Sequence, residues 1–66
     1  MLTQEQIERI ESRYNHLRAI TSSKVLDAAI RDKAMEARMQ IEENVFVQGY
    51  LVKRDTKRFY LKAIEV

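Results

Sequence analysis

The hydrophobic period of this chain changes near Asn44, and that change constrains the fold more than any other feature of the sequence. Before it, apolar residues recur at three- and four-residue spacings, the mark of one face of a helix. After it, β-branched and aromatic residues cluster in two short runs, the mark of strands. The pattern predicts an α+β miniprotein, a two-helix antiparallel hairpin followed by a C-terminal β-hairpin, within one small domain spanning residues 1–66.

The first helix is expected over residues 3–20. Thr3 and Gln6 match a capping box, in which each side chain satisfies an orphan amide of the first turn. Glu5 and Glu8 lie toward the positive end of the helix dipole and Arg18 toward its negative end. Ile7, Ile10, Tyr14 and Leu17 form a core-facing stripe. It fades at Thr21-Ser22-Ser23, whose hydroxyls compete for backbone bonds and suit helix N-caps, so a short break is read there.

A second helix is expected over residues 23–43, with Leu26, Ile30, Ala34, Ala37 and Ile41 on its inner face. The short connection makes the two helices antiparallel neighbours. The alanines then allow close approach opposite Ile10 and Tyr14. Ala28, Met35 and Met39 define another apolar line about a quarter turn away. Either the hairpin or another protein covers it, since methionine serves both as core filler and at binding surfaces.

Strands are expected over residues 45–53 and 58–65. With Asp55-Thr56 as the tip, Val52 would face Phe59 and Tyr50 would face Leu61, Phe46 and Ala63 extending that face. Val45, Val47, Leu51, Tyr60 and Ile64 would occupy the other. Gly49, the sole glycine, would fall in mid-strand as a bulge or a close approach. Both faces are apolar, and an isolated two-stranded hairpin is marginal in water.

Size presses the same point. A chain of 66 residues buries only about 60% of the surface its unfolded form exposes, and a core of this size supplies only about 3–5 kcal/mol. There is no cysteine for a disulfide, and His16 is the one imidazole, so a structural zinc site lacks its usual ligands. Self-association as a homodimer is the expected support. The cysteine-free composition, a polar N-terminus unlike a signal peptide and the lack of an apolar run near 20 residues lead to a cytoplasmic protein that does not enter membranes.

Charge is unevenly placed. Residues 1–44 hold seven Lys or Arg against eight acids, a net −1; residues 45–66 hold five against two, a net +3. Lys53, Arg54, Lys57, Arg58 and Lys62 interleave with Phe59 and Tyr60, a composition able to grip phosphates and stack on bases. The same cluster could meet an acidic protein, neutralise Glu42 and Glu43 at the end of helix two, or simply keep an exposed hairpin soluble.

Chemistry is sparse. His16 lies off the apolar stripe with no nucleophile at a recognisable spacing, and Ser22 and Ser23 are better placed as caps than as nucleophiles. No catalytic, cofactor-binding or metal-ligating residues are assigned and no cofactor is expected. The candidate partner-binding residues are Met35 and Met39 on helix two and Lys53, Arg54, Lys57, Arg58, Tyr60 and Lys62 on the hairpin. The expected function is a small non-enzymatic interaction or regulatory protein that binds and modulates another protein, in some cases as an inhibitor. A phage or prophage origin is the class-level expectation for such a chain. The alternatives are a nucleic-acid-binding regulator using the basic hairpin, and a structural subunit of a larger assembly.

Overall fold

Helix α1 (Gln4–Ser22) starts with the capping box that its sequence announces. The Gln6 amide donates to Thr3 Oγ1 at 3.1 Å, and the Thr3 amide donates to Gln6 Oε1 at 2.9 Å. A computed structural model describes residues 2–56 and 58–65 of the chain. Over these residues α1 is followed by α2 (Ala28–Val47), β1 (Tyr50–Arg54) and β2 (Phe59–Ala63). The chain therefore has the expected α+β architecture, two helices and then an antiparallel two-stranded hairpin.

The break between helices lies later than expected. Thr21 and Ser22 remain helical, because the Thr21 hydroxyl donates back to the Arg18 carbonyl at 2.8 Å instead of capping a new helix. Ser23 closes α1 in an extended conformation, and Asp27 becomes the N-cap of α2. Leu26 thus sits in the connection and Ile30 is half exposed, so the inner face of α2 begins only at Ala34.

At its other end α2 continues four residues beyond the expected stop at Glu43, and residues 45–47 are helical rather than strand. Val45 lies three turns after Ala34 on the same face and is 2% exposed. Burying it in the helix stripe outweighs the β propensity of Val-Phe-Val. Gly49 ends the helix. It takes φ +91°, and its amide donates to the Phe46 carbonyl at 3.0 Å, the arrangement of a glycine just past a helix C-cap. A Cβ there would meet nothing within 4 Å, so backbone conformation and not a close approach or a bulge explains the glycine.

The hairpin pairs Tyr50 with Ala63, Val52 with Leu61 and Arg54 with Phe59, two residues away from the expected register. The Asp55 amide donates to the Arg58 carbonyl at 2.8 Å, moving the tip one residue toward the C-terminus. An even shift keeps the strand residues on their assigned faces: Tyr50, Val52, Phe59 and Leu61 turn to the helices, and Leu51 and Tyr60 turn away, joined there by Lys53 and Lys62. Phe46 and Val47, assigned to the strand by sequence, project from α2 and are 60% and 79% exposed.

The core sits where the helices cross the sheet, with Tyr14, Ala34, Val45 and Tyr50 buried. Beyond it the helical hairpin projects, leaving Val25 in the connection 94% exposed. The chain exposes 5281 Å², whereas a folded monomer of 7.8 kDa is expected to expose about 4,400 Å². Among the described residues no helix is long and apolar enough to cross a membrane.

Candidate functional site

The two helices and the hairpin are joined by one polar-aromatic cluster. Tyr14 of α1 packs edge-on against Phe59 of β2, centroids 4.9 Å apart. The Arg38 guanidinium of α2 lies 5.1 Å from the Tyr14 centroid and 5.6 Å from that of Phe59, positions in which the ring quadrupoles attract the cation. Arg38 also donates to Thr21 Oγ1 at 3.0 Å and to the Tyr14 hydroxyl at 3.3 Å. That hydroxyl in turn donates to Glu42. Burial, with the Glu42 bond adding to it and Arg38 opposing it, raises the Tyr14 pKa above the usual phenol value. Arg18 also approaches the Phe59 ring, at 5.7 Å, and lies before the last turn of α1 rather than within it.

Beside the cluster, α1 seals one edge of the sheet. The Phe59 amide donates to Asn15 Oδ1 at 2.8 Å, Asn15 Nδ2 donates to the Phe59 carbonyl at 2.9 Å, and the Leu61 amide donates to Glu11 Oε2 at 2.9 Å. The sequence by itself gives Glu11 and Asn15 no role. Their spacing of four on one helix face was the available signal, but only the location of the β2 edge gives it meaning. These contacts build the fold.

The candidate cations do not gather. Lys53 and Lys62 share the outer face of the sheet with Tyr60 and Leu51, Lys53 opposite Tyr60 and Lys62 opposite Leu51. Arg54 stands on the helix-facing side, and Arg58 leans to Glu11 at 3.8 Å. Lys57 lies outside the described residues. Among the described residues no ion pair joins the hairpin to Glu42 or Glu43; Glu42 is engaged by Tyr14 instead.

Met35 and Met39 are 46% and 61% exposed, and the hairpin does not cover them. Because α2 continues to Val47, Phe46 joins their line, seven residues beyond Met39. Expected in a strand by its local sequence, Phe46 instead lengthens the helix line. The stripe meets the hairpin at a groove lined by Met39, Glu42, Glu43, Phe46, Leu51 and Val52. His16 is exposed on α1. Among the described residues no three His, Cys, Asp or Glu side chains converge on a metal-sized site. Compared with protein families, with curated proteins and with solved structures, the chain matches none.

Proposed function

We propose that this chain is a small non-enzymatic interaction protein that binds and modulates another protein as a homodimer in the cytoplasm. The observation that supports the reading is the surplus of exposed surface, which is apolar in two places. The Met35, Met39 and Phe46 line of α2 is one, and Leu51 with Tyr60 on the outer sheet face is the other. On the outer face these two residues alternate with Lys53 and Lys62. Apolar contacts flanked by cations suit an acidic protein surface, where charge steers encounter and the aromatic ring supplies contact area.

Nucleic acid is the second reading, because the same face sets Lys53 and Lys62 around Tyr60. The divergence of Arg54 and Arg58 from that face favours the protein reading. The test compares retention of host proteins by the full chain and by a Lys53→Glu/Lys62→Glu variant of matched helicity, alongside oligonucleotide anisotropy at two salt concentrations. A protein retained by the former and lost by the latter is the expected result. Equal retention by both chains contradicts the assignment, and oligonucleotide binding that weakens steeply with salt replaces it with the second reading.

A further inference from the structure

The two edges of the sheet are unequal. Bonds from the Ile64 amide to the Gly49 carbonyl and from the Asp55 amide to the Arg58 carbonyl fix the phase of the ladder. In an antiparallel pair, alternate residues turn their backbone groups outward, here Tyr50, Val52 and Arg54 on β1 and Phe59, Leu61 and Ala63 on β2. On β2, Asn15 and Glu11 occupy outward groups of Phe59 and Leu61. On β1, no hydrogen bond to the outward groups of Tyr50, Val52 or Arg54 occurs among the described residues. An open edge of this kind is a template for another strand.

We infer that the β1 edge, with the α2 groove beside it, is the docking surface for a second copy of this chain, joining two hairpins into one sheet about a two-fold axis at Val52. The inference deepens the homodimer part of the functional reading and rests on it.

Three observations select a second copy. First, β1 runs from residue 50 to 54, so an antiparallel two-fold at its central residue pairs the whole strand. Val52 meets its own counterpart and Tyr50 meets Arg54, and each outward group finds an outward group. Second, this register sets no like charges opposite one another, since Lys53 falls opposite Leu51. A two-fold at Lys53 or Arg54 would oppose cations, which destabilises strand pairs.

Third, the surface is self-complementary. Glu42 and Glu43 line the groove on the helix side, and Arg54, on that same side, ends the strand. An isologous contact carries the basic end of each copy toward the acidic groove of the other. The same rotation keeps both α2 helices on one side of the joined sheet, bringing Met39 and Phe46 of each copy toward the other copy.

The register can be tested by cross-linking, because the chain has no native cysteine. In the inferred pairing, residues 51 and 53 of opposite copies form a close, non-hydrogen-bonded pair about 4.5 Å apart at Cα, within disulfide reach. Leu51→Cys and Lys53→Cys chains are mixed and oxidised. The expected result is at least a tenfold excess of the mixed disulfide dimer over either chain oxidised alone; no excess overturns the register.

A Val52→Pro chain removes a donor that β2 does not use, so its own hairpin keeps its ladder. It is expected to sediment as a monomer where the parent chain is a dimer. A dimer as tight as the parent's overturns the edge contact, and a parent chain monomeric at every concentration leaves the edge to another protein's strand and overturns the inference. A monomer that still retains a host protein through Tyr60, Lys53 and Lys62 refutes this inference alone. A cross-linked dimer that retains none refutes the partner reading alone.

Discussion

The Asn15 carboxamide holds the Phe59 backbone at both ends, accepting from its amide at 2.8 Å and donating to its carbonyl at 2.9 Å. A helix side chain here does what a third strand would do. It satisfies an edge peptide and locks α1 to β2, while the Phe59 ring contacts both Tyr14 and Arg18.

Asn15→Ala should therefore cost about 1–3 kcal/mol, the range for leaving partly buried polar groups without partners. Chemical denaturation gives the loss. Amide exchange locates it, with Phe59 exchanging faster and Val52 unchanged within one chain; a uniform acceleration would mean that the clamp has no local role.

Tyr14→Phe tests the cluster at the helix crossing. The ring and its contact with Phe59 stay, but the bond to Glu42 goes, and a bond to a charged partner is worth about 1.5–3 kcal/mol. The parent chain should also show an alkaline signature. Folding raises the Tyr14 pKa, chiefly through burial, so above the ordinary phenol value of 10.0 the unfolded chain holds fewer protons than the folded one. The stabilisation is complete below that pH and falls as pH rises through the folded pKa. Denaturation followed across this range should show a decline that Tyr14→Phe lessens.

Gly49 should resist substitution for a purely backbone reason. Its φ of +91° disfavours any L side chain, by about 1–2 kcal/mol, although there is space for a Cβ. Gly49→Ala should lower the thermal midpoint while a D-alanine at the same position, introduced by synthesis, should not. Equal losses for both would point to crowding instead.

The sequence made the element types legible because α1 carries its start signal and its stripe in local residues, Thr3, Gln6, Ile7, Ile10 and Tyr14. The end of α2 was less legible. Val45, Phe46 and Val47 favour strand by themselves, and only packing of Val45 beneath the helices reverses that preference. Gly49 was a readable stop signal, since glycine just after a periodic run marks a helix end. Reading it as a strand bulge displaced Phe46 from the Met35 and Met39 line.

The candidate surface was legible in composition but not in arrangement. Alternation placed Leu51 and Tyr60 on one face without assigning Lys53 or Lys62 to it, and Arg58 turns to Glu11, far away in sequence. A contact between residues so far apart in sequence has no local signature. The unequal sheet edges depend on the same long-range contacts of Glu11 and Asn15.

Amide exchange of Val52 as a function of protein concentration tests the central claim most directly. If two copies join along β1, protection of the Val52 and Arg54 amides rises with concentration, while Phe59 and Leu61, already bonded to Asn15 and Glu11, are protected throughout. A Val52 amide that exchanges at one fast rate across the whole range, beside a slow Phe59, would contradict the joined sheet.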